Sequence, residues 1–407
     1  MPDEPSAASA AILRHRPFQL YFLGRVFSNF SRQIVAVAVG WQVYALTSDP
    51  FALGMVGLLQ FLPTLLLTFV SGHAADHFDR KRVVQLCQWA EALAAGFLAW
   101  GSIEQWLTVG HIYAASVVFG ITASFERPAA AAMVPSVVPP GLLQQGTALS
   151  SGAMHFASIA GPALGGFLYA VSPGVPYVLT AAFWLLAGVL NGSIRLARQP
   201  RSVEVPSLGT IFAGARFVRS NPAVLGTISL DLFAVLLGGA TALLPIFASD
   251  ILHTGPWGLG LLRAGPSIGA LGMTVYLARH PITRRVGIRM FQSVILFGVA
   301  TVVFALSREV WLSVVALVVM GASDMISVVI RLSLVQLATP DEMRGRVSAV
   351  NFLFINASNQ LGEFESGVTA AWFGTVAATV IGGVGTVAVA LLWMRLFPAL
   401  KNVERLE

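Results

Sequence analysis

Of the 407 residues, 56% are hydrophobic and only 11% are charged, and the mean hydropathy is +0.75, which excludes an ordinary soluble domain and marks a polytopic membrane protein. A formal charge of +6 would suit a nucleic-acid binder, but the lysines and arginines come in small clusters between apolar runs, a pattern that reports membrane topology. The single cysteine, Cys87, rules out an intramolecular disulfide and a cysteine-based metal site.

Residues 1–16 are polar, and the apolar segment after them carries arginines and lacks a short hydrophobic region with a small-residue cleavage site. It reads as a retained first helix. Crossing the hydrocarbon takes about 20 apolar residues in helical form. Twelve runs fit, over 18–46, 51–75, 83–103, 109–133, 142–171, 175–194, 223–248, 256–278, 288–306, 310–335, 347–372 and 375–397. Ser48-Asp49-Pro50, Ser172-Pro173-Gly174 and the tip around Arg308-Glu309 are short and nearly bare of charge. The alternate loops together with the two terminal segments hold 19 of the 25 Lys and Arg residues, which predicts that both termini face the cytoplasm.

The longest polar interval, near 196–221, predicts a cytoplasmic linker between a bundle over 1–195 and a second over 222–407. Within it Leu208, Ile211, Phe212, Ala215 and Val218 recur at helical spacing opposite Thr210, Arg216 and Arg219, as in an amphipathic helix on the membrane surface. An internal repeat supports two halves: one gap-free offset carries Gly120 onto Gly321, Pro139 onto Pro340, Ala148 onto Ala349, Gly161 onto Gly362 and Gly166 onto Gly367. The fold class expected is an all-α membrane protein of twelve transmembrane helices in two pseudo-symmetric six-helix bundles.

Three stretches carry a family resemblance. Gly72-His73-Ala74-Ala75-Asp76-His77-Phe78-Asp79-Arg80-Lys81-Arg82 is similar to the loop 2–3 signature of the major facilitator superfamily, with Gly72, Asp76, Arg80 and Lys81 at its key places and His77 and Asp79 departing from it. Ala157-Ser158-Ile159-Ala160-Gly161-Pro162-Ala163-Leu164-Gly165-Gly166 is similar to the helix-5 motif associated with antiporters. Pro340-Asp341-Glu342-Met343-Arg344-Gly345-Arg346-Val347 resembles the helix 10–11 loop of the subgroup that contains enterobactin exporters and related efflux proteins. The helix-4 arginine motif of many drug antiporters is missing, because Val117 stands three residues before Gly120. On physical grounds Asp76 is placed to meet a helix N-terminus and act as a conformational latch with Gly72, Arg80 and Lys81. Gly161 and Gly165 permit close backbone approach, and Pro162 permits a bend.

Ionisable groups at membrane depth are costly and usually face a cavity or a partner. This chain places Arg25, Arg32, Glu91, Glu126, Arg127, Asp231, Arg263, Asp324, Arg331, Glu363 and Glu365 there. In the superfamily that the chain resembles, helices 1, 4, 7 and 10 line the cavity with 2, 5, 8 and 11 beside them, and all of these residues but Glu91 fall on those eight. Residues three, four and seven apart share a helix face, giving polar stripes of Arg25, Ser28, Asn29 and Arg32; of Asp324, Ser327 and Arg331; and of Asn356, Asn359, Gln360 and Glu363. Glu363 and Glu365 point about 200° apart, so Glu363 alone continues its stripe. His155 lies close to mid-membrane and is a further candidate.

A carboxyl group in a low-dielectric cavity is more easily protonated, and movement of a nearby arginine shifts that balance. These residues therefore suit a proton and substrate pathway. The structural alternative is that Asp324 or Glu363 only neutralises Arg32, Arg25 or Arg331 and holds helices in register. The resemblance and the buried charges together imply proton-coupled export of a small organic molecule, siderophore-like or drug-like. Import, or a lipid-like substrate, is the alternative within transport. No GxxxxGK[ST], HExxH or GxSxG motif occurs, so enzymatic activity is not expected. Neither cofactor nor metal nor nucleic-acid partner is expected, and the working unit is expected to be a monomer in the bacterial inner membrane.

Overall fold

The computed structural model describes residues 12–405 apart from 13, 140 and 196–207, without the side chains of 68, 69, 72–77, 208–211, 341, 349 and 352. The described residues are mostly helical, joined by short loops, and include no strand. In chain order the helices are α1 (Arg16–Thr47), α2 (Pro50–His77), α3 (Arg80–Ile103), α4 (Val109–Val137), α5 (Leu143–Val171), α6 (Val175–Gly192), α7 (Leu208–Ser220), α8 (Pro222–Leu237), α9 (Gly255–Arg279), α10 (Val286–Leu306), α11 (Val310–Leu337), α12 (Asp341–Phe373) and α13 (Thr375–Leu396).

Among the described residues eight segments are long and apolar enough to cross a membrane by length and composition: α2, α4, α5, α6, α10, α11, α13 and the stretch Pro222–Ile251 that begins with α8. The remaining long ones, α1, α3, α9 and α12, exceed the roughly 20 residues a crossing needs. Polar stripes occupy α1 and α12, α3 opens on Arg80-Lys81-Arg82, and α9 is rich in glycine, which lowers their hydropathy. Local chemistry sets several starts. Asp79 caps α3 by accepting from the Lys81 backbone N–H at 3.2 Å, and Asn221 caps α8 by accepting from Ala223 and Val224, with Pro222 in the first turn.

One expected span, 223–248, falls within the apolar segment Pro222–Ile251 but is not a regular α-helix throughout. The apolar run 223–248 reads as one helix, yet α8 stops at Leu237 and the chain continues through a 3-10 turn at Ala240–Leu243, a short α turn at Leu244–Ile246 and a π turn at Phe247–Ile251. Gly238 and Gly239 form the break. A Cβ at Gly239 would stand 2.6 Å from the Gly362 carbonyl oxygen, so close approach of α12 requires glycine here, and Pro245 supplies no backbone donor to rejoin the ladder.

The chain forms two compact units, 1–46 with 59–205 and 47–58 with 206–407. In the first, α3 packs against α4 and α6, over a core that includes Phe18, Tyr21, Val84, Met133 and Ile194. Gly161 and Gly165 bring α5 onto α1: Cβ atoms there would lie 2.6 Å from Gln33 Cβ and 3.0 Å from Ile34 Cα. In the second, α11 packs against α9 and α10, while α12 and α13 flank α8. The opening turns of α2 group with this unit, where the Phe51 and Phe364 rings meet. Helix α7 turns Val218 into a core with Val224, Ile228, Val347 and Val350 and leaves Phe212, Arg216 and Arg219 exposed; its expected apolar members Leu208 and Ile211 have side chains outside the described set.

Candidate functional site

The first unit concentrates its buried charge around Arg32. From α1 this side chain pairs with Glu126 of α4 and comes within 3.6 Å of Glu91 of α3. Both carboxylates are almost fully buried, whereas the Arg32 side chain keeps 21% exposure. Glu126 Oε1 also accepts from Ser28 Oγ at 3.1 Å and from Gln88 Nε2 at 2.9 Å. Gln88 Oε1 in turn accepts from Asn191 Nδ2 of α6 at 3.0 Å, and Glu91 Oε1 accepts from Thr122 Oγ1 at 3.1 Å. Four helices are thus tied by one polar network in a low-dielectric interior, where removal of any donor leaves an unsatisfied partner.

The second unit has its own cluster. Asp231 of α8 pairs with Arg331 of α11, both buried. Arg331 is therefore neutralised by Asp231, and the expectation that Asp324 or Glu363 serves it does not hold. Asp324 lies two helical turns before Arg331 and makes no ion pair or hydrogen bond among the described residues. It lines a small cavity of about 10 Å³ with Asp231, Ser293, Ser323, Ser327 and Phe297, room for about one water molecule. Ser327 Oγ is buried there without a partner.

Other expected residues are dispersed. Arg263 of α9 and Glu363 of α12 attract one another, while Glu365 accepts from Thr369 Oγ1 at 2.7 Å on its own helix. Asn359 and Arg127 are exposed, Arg25 and His155 are half-buried, and Asn29 is buried with its Nδ2 unpartnered. Arg80 donates to the Ala132 carbonyl of α4 at 3.0 Å, and Lys81 to the Ile194 carbonyl just beyond α6 at 3.0 Å, so both cations sit at the carbonyl ends of helices, where the dipole favours them. The side chain of Asp76, the acidic member of the expected latch, lies outside the described residues, as does position 72. Among the described residues no group of three or more His, Cys, Asp or Glu side chains is placed to hold a metal ion.

A profile of the transmembrane secretion effector family matches residues 7–406. The chain belongs to that family. The family member is 26% identical over 393 residues to the enterobactin exporter of Citrobacter koseri and 28% identical over 400 residues to that of Salmonella typhimurium, in each case across 96% of this chain and 94% of the relative. Its fold is similar to a bacterial homologue of the iron transporter ferroportin, solved in an inward-facing state (TM-score 0.72, 17% identity, 95% of this chain and 99% of that one). It is also similar to the nucleoside transporter NupG (TM-score 0.72, 14% identity, 94% and 99%). The protein is a multi-pass membrane transporter of the major facilitator fold, from a family of transporters and not of enzymes.

Sequence reasoning set Glu91 aside, because α3 is not among the helices the superfamily resemblance assigns to the cavity, and it did not weigh Gln88, Thr122 or Asn191. A signal was present: Gln85, Gln88 and Glu91 recur every three residues on an otherwise apolar helix, which places them along one side.

Proposed function

We propose that this transporter exports a small acidic organic molecule in exchange for protons, by alternating access of two six-helix halves over 1–195 and 222–407 joined by 196–221. One observation carries the reading: Asp324 is a carboxyl group without an ion partner among the described residues, beside a small, largely apolar cavity, next to an Asp231–Arg331 pair that already balances its own charge. A carboxyl so placed gains and loses a proton without breaking a salt bridge, which is what a coupling residue must do. Export is favoured by the names of the relatives, which are enterobactin exporters. Arg32, half-buried Arg25 and exposed Arg127 suit carboxylate, catecholate or phosphate groups on the substrate. Glu363 with Arg263, together with Asn29, Asn359 and His155, completes the proposed pathway; both termini face the cytoplasm of the inner membrane, and the unit is a monomer.

The loop between α2 and α3 acts in this scheme as a latch, with Arg80 and Lys81 gripping helix ends and Asp76 supplying the switchable contact. Asp76→Asn is expected to slow transport more than it weakens substrate binding; an equal or larger loss of binding contradicts the latch.

Proteoliposomes test the proposal with enterobactin as the first probe. Wild-type protein is expected to accumulate it in response to an imposed pH gradient, and Asp324→Asn combined with Glu363→Gln is expected to stop that response. Accumulation that ignores the gradient, or persists in the double variant, refutes proton exchange through these residues.

A further inference from the structure

Charge balance in the first unit leaves one group over. Arg32 supplies one positive charge, and Glu91 and Glu126, at 1% and 0% exposure, supply two carboxyl groups. The other charged groups facing them are few. Arg25 on α1 is half-buried; Arg127 on α4 is exposed and attracts Glu91 from beyond ion-pair distance, so Arg32 is the one cation in direct contact with either acid among the described residues; α6 contributes the neutral Asn191, and α3 itself the thiol of Cys87. An ionised carboxylate without a cation in contact is strongly disfavoured in such surroundings, because burial strips it of water.

The two carboxyl groups are not equivalent. Glu126 Oε1 accepts from Ser28 and Gln88, and its Oε2 is ion-paired with Arg32, an environment that suits an ionised carboxylate. Glu91 receives one from Thr122 on Oε1, and its Oε2 is buried with no donor at all. An ionised oxygen in that position would be unsolvated, whereas a hydroxyl there carries no net charge.

We infer that Glu91 and Glu126 share a single exchangeable proton, held on Glu91 Oε2 while Arg32 is engaged with Glu126. Arg32 lies against both carboxyl groups, keeps its own protons, and is the one of the three side chains with appreciable exposure, so water reaches the pair when Arg32 moves aside. When Arg32 turns outward, the O–H bond on Glu91 breaks as one forms on Glu126, so the negative charge passes to Glu91; when Arg32 returns, the proton goes back to Glu91 and Glu126 is again the ionised partner of the arginine. The proton moves between carboxyl oxygens and no other bond changes. This deepens the proton-coupled reading by adding a second proton-binding site, in the other unit from Asp324.

Infrared spectroscopy of the purified protein in detergent at neutral pH tests it without any substrate. Wild-type protein is expected to show a protonated-carboxyl C=O band that shifts when the solvent is exchanged for D2O and is lost in Glu91→Gln. Thr122→Val, which removes the one donor to Glu91 Oε1, is expected to move the same band without abolishing it, and this variant serves if Glu91→Gln does not fold. Asp324→Asn is expected to leave the band in place. A spectrum unchanged in both Glu91→Gln and Thr122→Val overturns the inference, and a Glu91 band that resists D2O exchange overturns the exchangeable proton. Because the readout is independent of transport, failure of gradient-driven export with the Glu91 band intact would count against the proposed function alone.

Discussion

One arginine in each unit stands among two carboxyl groups, and the two clusters are built differently. Around Arg32, Glu126 is engaged by two donors and an ion pair and Glu91 by one donor, in a buried interior where four helices meet. Around Arg331, Asp231 is engaged and Asp324 faces a cavity of about 10 Å³ with three serines on its walls. Each cluster thus has a working ion pair and a surplus acid. The ion pair fixes helix register, because a buried charge stripped of its partner is far more costly than the pair is stabilising. The surplus acid is free to change protonation, and its access differs: directly from a water-sized space for Asp324, and only through Arg32 for Glu91.

Substitutions that separate the engaged acids from the surplus ones would sharpen or break that contrast. The largest effect is expected for Asp231→Asn, which leaves buried Arg331 uncompensated at a cost of about 3–5 kcal/mol, with Glu126→Gln next and smaller, because Glu91 within 3.6 Å of Arg32 ionises in its place; thermal unfolding in detergent measures both, and unchanged unfolding temperatures would show that these pairs do not hold the helices. Gln88→Leu deprives Glu126 and Asn191 of a partner at once and is expected to cost about 1–3 kcal/mol in the same assay. Thr122→Val removes a single donor from an uncharged Glu91, for a loss of about 0.5–1.5 kcal/mol. A cost as large as that of Glu126→Gln would mean that Glu91 is ionised. The smallest change in stability, within about 0.5 kcal/mol, is expected for Asp324→Asn, since no described partner is lost.

The sequence makes the helical architecture legible because hydropathy and loop chemistry act locally. The repeat offset of Gly120 onto Gly321 also carries Val109, the first residue of α4, onto Val310, the first of α11, and brings the ends of those helices to within one residue of register. Pairing is less legible. A polar stripe states which face of a helix is polar and not what it meets, so the partners of Arg331 and Arg32, about 100 residues away in each case, do not follow from spacing. Glu91 escaped because resemblance ranks helices by family role, whereas its importance comes from the arginine that α1 happens to bring against it. The break after Leu237 is written in Gly238-Gly239 and Pro245, yet hydropathy averages over it.

The central claim is that the surplus acid of the second unit carries the coupling proton while the ion pairs carry structure. Proteoliposomes containing Asp324→Asn separate the two roles when enterobactin is used in both modes of assay: exchange of labelled for unlabelled probe, and accumulation driven by a pH gradient. Exchange at close to the wild-type rate with accumulation abolished is the result the account predicts. Loss of both, or gradient-driven accumulation that survives the substitution, would contradict it.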